Sequence, residues 1–374
     1  MIRRIPSIFI ICILIGCHFK SSLEVNHGID GLILFNGTIK PTILKSNKIA
    51  LEDFRLPTRI KQINDYLFIT DLKRDAGMVC IYDLNNQKYL KSIIPKGSGP
   101  FELSAISSIV SGNSGTIYFY DVQSLRLLEA NLDFLLQNDL TQPVYSNRLI
   151  FENFEKAFRI VNVSDTIYLA YTLPGIKGRF MLLNSKFEST GIQFANYPPI
   201  ERKPETYDMT EVSFNAKVLG NLYTCAITTH PSADLLVVAH HHVDIIEIYK
   251  ITEQKRLLRI VGPDQNFPPD YIINKSGQGL PCRECRCGYA SPQVFTNYIA
   301  VLRLNKLYTD ADAYISKYIY FFDWEGTLQK VIELDAEVSE FVIDEGRRKI
   351  YAIAFDQDEA LLEYDLPSEF ENGF

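Results

Sequence analysis

"DYLFITDLKRDAGMVCIYDLNNQKYLKSII", residues 65–94, holds three apolar stretches, Tyr66 to Thr70, Met78 to Leu84 and Tyr89 to Ile94, separated by polar turns. Ile, Val, Tyr, Phe and Leu fill the stretches while Asp, Asn, Gly and Lys bound them, the composition of strands joined by turns. The rhythm returns in "ADLLVVAHHHVDIIEIYKITEQKRLLRIVG" (233–262) and, as two strands and a turn, in "RKIYAIAFDQDEALLEYDL" (348–366). Weaker copies lie at 114–133, 164–187 and 297–334, and the middle strands "VCIYDL", "IEIYKI", "IYFFDW" and "LLEYDL" can be laid over one another.

First strands starting near Tyr66, Ile117, Ile167, Leu235, Tyr298 and Ile350 make six copies at intervals of roughly fifty to seventy residues. A strand repeat of that period predicts an all-β, six-bladed β-propeller, in which each small antiparallel sheet buries its faces only against its neighbours. A parallel sheet with crossover helices would need helical periodicity between the strands, and almost none is present. Closing the ring requires one blade shared between the two ends of the chain, since an open ring leaves an unpaired edge. The segment Lys40 to Leu51 is the favoured closing strand and "GLILF" (31–35) the alternative.

"PKGSGPFEL" (95–103) has glycines that suggest a phosphate cradle, but no Gly-Lys-Ser/Thr and no helix start follow, so it is read as a connector between blades. Through Gly97, Gly99, Pro100, Phe101 and Glu102, with "IYFYD" (117–121) and "DIIEIY" (244–249) in support, the chain resembles the six-bladed TolB-like and NHL-like propeller lipoproteins of the Bacteroidota. In such proteins the Gly-x-Gly-Pro-x-Glu segment is structural.

The start of the chain agrees. Met1, Ile2, Arg3 and Arg4 precede "IPSIFIICILIG", a charged region and an apolar run too short for the ~20 residues of a bilayer span, which reads as a secretory signal. Leu14, Ile15, Gly16 and Cys17 resemble the bacterial lipobox, implying that 1–16 is removed and that Cys17 becomes a lipidated first residue. Residues 17–40 are then a lipidated linker and 41–374 the propeller, a lipid-anchored protein of the outer membrane with its periplasmic face preferred over the cell surface. Two or more acyl chains anchor stably where one does not. No other apolar run reaches spanning length.

The whole chain carries a net charge of −7, and an acidic surface without an arginine cluster argues against nucleic acid as a partner. Besides Cys12 and Cys17 there remain Cys80, Cys225, Cys282, Cys285 and Cys287, an odd set that cannot all pair internally. In "GLPCRECRCGYAS" (279–291) the C-x-x-C-x-C spacing is read as a loop disulfide between two of Cys282, Cys285 and Cys287, with free thiols or zinc as alternatives, since no second ligand pair follows. In "AHHHVD" (239–244), His240 and His242 would share one strand face and could reach Asp244 or the cysteine loop, although a polar turn is the simpler reading. Asp310 and Asp312, and Asp356, Asp358 and Glu359, do not complete a calcium loop. No Gly-x-Ser-x-Gly elbow is present.

Three connections exceed what a hairpin needs, Ala195 to Asn215, Gly262 to Gln293 and Asn305 to Ser316; gathered on one propeller face they would form a recognition surface above the channel mouth. Tyr197, Tyr207, Phe267 and Tyr271 are its candidate contacts. The expectation is a monomeric, membrane-anchored protein that binds a protein, peptide or glycan, with no catalytic residues, metal or cofactor assigned. A propeller hydrolase or lactonase with a metal-assisted site at the channel is the alternative.

Overall fold

A computed structural model describes residues 32–34, 39–49, 56–73, 77–137, 145–148, 156–173, 178–198, 200, 214–230, 232–264, 269–355 and 361–367. The strands group into antiparallel sheets that follow one another along the chain. Blade 1 is Pro57–Ile63, Tyr66–Asp71, Val79–Asp83 and Lys88–Ile93; blade 2 is Ser108–Ser111, Thr116–Asp121, Arg126–Asn131 and Tyr145–Arg148. Blade 3 is Lys156–Ser164, Ile167–Leu173, Phe180–Leu183 and Ser189–Phe194, and blade 4 is Cys225–Thr229, Leu235–His240, Ile245–Lys250 and Lys255–Val261. Blade 5 opens with Tyr289–Val294, Ile299–Arg303 and Ser316–Phe322. The long strand Leu328–Asp344 then serves twice: its first half pairs with Ser316–Phe322 to complete blade 5, and its second half pairs with Lys349–Ala354 to open blade 6. Leu361–Asp365 follows in blade 6.

Six blades are fixed by six separate apolar clusters, one between each neighbouring pair of sheets. Phe68, Ile81, Phe119 and Leu128 fill the gap between blades 1 and 2. Tyr120 and Tyr168 join blades 2 and 3, and Phe180 and Tyr249 join blades 3 and 4. Ile248 and Phe322 join 4 and 5, Phe321 and Phe341 join 5 and 6, and Ile69 with Tyr351 closes 6 onto 1. A strand buried on both faces reads as a continuous apolar run, which is why "VCIYDL" does not alternate: Val79 through Asp83 are all buried.

The strands that announce the repeat in the sequence are the second strand of each blade, and one more precedes each of them. In blade 1 it is "PTRIKQI", whose burial is mixed because one side faces the ring's centre. Its polar residues hid it from a search for apolar stretches.

The N-terminal segment lies along the rim of three blades. Leu32–Leu34 adds in parallel to Lys255–Val261 of blade 4, Thr42–Leu44 adds in parallel to the blade 5 half of the long strand, and Asn47–Ile49 pairs antiparallel with Leu361–Asp365. The last of these is the fourth strand of blade 6 and closes the ring, within the favoured segment 40–51. Leu32–Leu34 of the alternative segment does not close the ring but thickens blade 4, so the rim begins inside the stretch 17–40 read as linker.

Candidate binding channel

Antiparallel blades place the blade-to-blade connections and the turns between second and third strands on one face, and the other turns on the opposite face. At the centre the six inner strands enclose a cavity of about 130 Å³. Every blade contributes polar atoms to it: Arg59 and Lys61, Ser108, Arg159, Thr228, Gln293 and Glu340. The cavity continues toward the turn face along Ser111, Asn162 and Thr229 and along Gln62, Asn64 and Asp344, with Lys61 and Gln293 lining all three stretches.

The charges there are unbalanced. Glu340 Oε2 accepts the Ile60 backbone N–H at 2.8 Å and its Oε1 lies 3.4 Å from Arg59 Nη1, so this carboxylate staples the inner strands of blades 6 and 1. Lys61 and Arg159 have no hydrogen bond or ion pair among the described residues. Burial, and then the nearby Arg59, draw the Arg159 guanidinium down to about 10 against the pull of Glu340. Lys61 is solvent-accessible through the lumen but walled by protein, and that partial desolvation lowers its amine pKa, with Glu340 opposing. Arg159 stays protonated at neutral pH.

The family profile for TolB-like 6-blade propeller-like proteins matches residues 35–346. The chain belongs to this family. Among solved structures, this TolB-like propeller is similar to a Bacteroides fragilis protein described as exported, at 15% identity and TM-score 0.56 over 89% of this chain and 98% of that one. It is also similar to a Bacteroides vulgatus member of the DUF4221 family, at 13% identity and TM-score 0.53 over 86% and 95% of the two chains. Identities this low speak for the fold alone. No curated protein matches. No helix among the described residues of the TolB-like propeller is long and apolar enough to cross a membrane.

The described parts of the three long connections pack together on the connection face, over blades 4 and 5. Cys287 N–H donates to the Lys306 carbonyl at 2.8 Å and Tyr308 N–H to the Cys285 carbonyl at 2.9 Å, while Tyr197, Ile200 and Phe214 share an apolar cluster with Tyr271 and Ile273. Cys282 and Cys285 are joined in a disulfide, while Cys80, Cys225 and Cys287 are buried thiols. Burial pushes the Cys287 thiol up to about 11.

The histidine run does not alternate as a strand would, because the strand ends at His240 and residues 241–244 bend. His240 Nε2 turns inward to Glu247 Oε2 at 3.2 Å, His241 Nδ1 meets the Tyr289 carbonyl at 3.0 Å, and His242 lies between the Asn221 carbonyl and the Tyr314 hydroxyl. The expected His240 and His242 pair is thereby split between interior and surface. Burial lowers all three, His240 to about 4 and His241 to about 3. Among the described residues no three of His, Cys, Asp and Glu gather as metal ligands.

Tyr197 and Tyr271 support loops more than they offer rings. Tyr197 stacks on Tyr223 with centroids 6.3 Å apart and carries the Arg179 guanidinium 5.6 Å from its own centroid. Tyr271 packs on the cluster of Phe214, Val218, Tyr223 and Val243. Tyr207 and Phe267, like Asp356, Asp358 and Glu359, lie outside the described residues. Asp310 accepts the Leu307 N–H and Asp312 pairs with Lys306, so both are spent locally.

The connector 95–103 is a closed knot. Gly99 N–H donates to Glu102 Oε2 at 2.8 Å, Arg126 Nη1 donates to the Glu102 carbonyl at 3.0 Å, and a Cβ on Gly97 would come 2.0 Å from Glu102 Oε2. The loop's own carboxylate occupies the place an anion would take.

Sequence reasoning missed a second set of charges, buried between blades 3 and 4. Arg179 Nη2 lies 2.6 Å from Glu247 Oε2 and 2.8 Å from the Tyr249 hydroxyl, and Arg259 donates from Nε and Nη2 to Glu247 Oε1 at 3.0 and 2.7 Å. Arg179, foremost among the neighbouring positive and hydrogen-bonding groups, holds Glu247 well below the carboxylate range despite the opposing effect of burial. The signal was an acid centred in the apolar run "IIEIY". For the channel it was Arg59 and Lys61 at alternate positions of "TRIKQ".

Proposed function

We propose that this TolB-like propeller is a lipid-anchored envelope protein, acylated on Cys17 after loss of 1–16, that receives a protein, peptide or glycan ligand at its central channel. The observation that carries the binding reading is the polar cavity into which all six blades project, with two cations that have no hydrogen bond or ion pair among the described residues. Inner strands are the most constrained part of a propeller, so groups placed there are preorganised. The leader and lipobox of residues 1–17 support export and anchoring. Residues 17–31 supply a tether whose fully extended reach is on the order of 50 Å, enough to hold the ring clear of lipid headgroups. No catalytic role is assigned: a metal-assisted hydrolase needs convergent carboxylates, whereas Glu340 in the central stretch is engaged by Ile60 and Arg59, and Asp344 toward the turn face by Gln62 and Arg347.

Two measurements test this. In the native host, the wild-type chain should fractionate with membranes and Cys17→Ser should not; retention of the Ser variant removes the anchor. Purification of the lipidated protein from its own envelope should enrich a companion molecule over a mock preparation, and repeated enrichment of nothing removes the binding role.

A further inference from the structure

We infer that the channel seats a compact multivalent oxyanion, a phosphate, sulfate or small polycarboxylate, between Lys61 and Arg159. The inference rests on the binding reading above and names the chemical group that the cavity holds.

The described wall of the central stretch carries three cations, Arg59, Lys61 and Arg159, against one carboxylate, Glu340, while Asp344 and Glu345 line the stretch toward the turn face. Glu340 is committed to the Ile60 N–H and to Arg59, and neither Lys61 nor Arg159 has a hydrogen bond or ion pair among the described residues. Elsewhere in the fold, enclosed guanidinium groups are treated differently: Arg179 and Arg259 touch Glu247, and Arg303 touches Asp244 and Asp264. Thr228 and Gln293 line the same cavity and likewise have no side-chain hydrogen bond among the described residues, which leaves a hydroxyl and an amide beside the two cations.

Gathering positive charge in a confined channel walled by protein costs free energy unless a counter-charge enters, and the same field draws anions in. Burial first, and then the positive charge of Arg59, draw the Arg159 guanidinium down to about 10. Composition does not explain the excess, because the chain as a whole is acidic, with a net charge of −7. The central stretch, about 130 Å³, has room for a phosphate-sized group, free or carried by a larger ligand. Lys61 and Gln293 also line the stretches leading to the turn face, which gives an anion a route in.

The test uses the full mature chain and five probes at matched ionic strength: inorganic phosphate, sulfate, succinate, citrate and, as control, chloride. At least one multivalent oxyanion should raise the melting temperature saturably and bind in calorimetry, and chloride should do neither. Combining Lys61→Gln with Arg159→Gln should weaken that binding at least tenfold, while Glu340→Gln, which removes the negative charge of the central stretch, should strengthen it. Arg159→Gln without ligand should melt no lower than wild type, which a purely structural arginine would not allow. Failure of every oxyanion to exceed chloride, or equal binding by the double variant, overturns the inference. A companion that co-purifies equally with wild type and the double variant also overturns it, while leaving the binding reading standing. Loss of all companions with oxyanion binding intact does the reverse.

Discussion

Arg179 and Arg159 are both arginines set among the strands of blade 3, and they meet opposite fates. Arg179 is fully buried, yet it touches Glu247, the Tyr249 hydroxyl and the face of Phe180, 5.1 Å from the ring centroid. Arg159 reaches the lumen and touches no carboxylate among the described residues. Removing an ion from water must be offset by close opposite charge and hydrogen bonds, and the interface between blades 3 and 4 supplies both. The channel does not. An interior charge with its complement belongs to the architecture; one without a complement is available to something else.

The sharpest break of this contrast is Glu247→Gln. It leaves two enclosed guanidinium groups without a counter-charge, and stability in urea should fall by about 3–5 kcal/mol. A loss below about 1 kcal/mol would mean that the two sites are alike.

Acid should expose the same interface. His240 is held neutral by burial, with a folded pKa of about 4 against an ordinary 6.5, so between these values the unfolded chain takes up a proton that the folded chain refuses. Stability present above pH 6.5 is therefore lost as pH falls toward 4, on the order of 3 kcal/mol from this residue. Glu247, with its depressed pKa, contributes stability above the ordinary carboxylate range that is lost only at still lower pH. Unfolding measured across this range should show the slope in wild type, and His240→Gln should flatten its upper part.

Tyr249→Phe removes the hydroxyl that Arg179 Nη2 reaches at 2.8 Å and keeps the ring. Equilibrium unfolding should report a loss of about 1.5 kcal/mol, the usual cost of a hydrogen bond to a charged group. Smallest of all is the channel side. Arg159→Gln should change stability by no more than about 0.5 kcal/mol, or raise it slightly, because no hydrogen bond or ion pair among the described residues is lost. A drop comparable with that of Glu247→Gln would erase the distinction.

The repeat of apolar strands was legible because a blade strand is buried on both faces and each residue announces its surroundings locally. The inner strands were less legible, since "PTRIKQI" has one wall in the core and one in the lumen. Closure by Asn47–Ile49 fell within the favoured segment, but the rim contact of Leu32–Leu34 did not show, because three residues carry too little pattern to name a partner more than two hundred positions away. The cysteine and histidine runs stood out by composition, and their geometry was decided by a bend after His240 and by burial.

Sequence by itself determined the repeated strands, the small sheets stacked in a ring, and an amino-terminal segment with the features of an export signal, because each is written in neighbouring residues. Only the tertiary structure decided that Arg59, Lys61, Arg159 and Glu340 meet around one cavity, and that Arg179 finds Glu247 across a blade interface. Electrostatic balance is a property of distances in space, and these residues come from blades far apart along the chain.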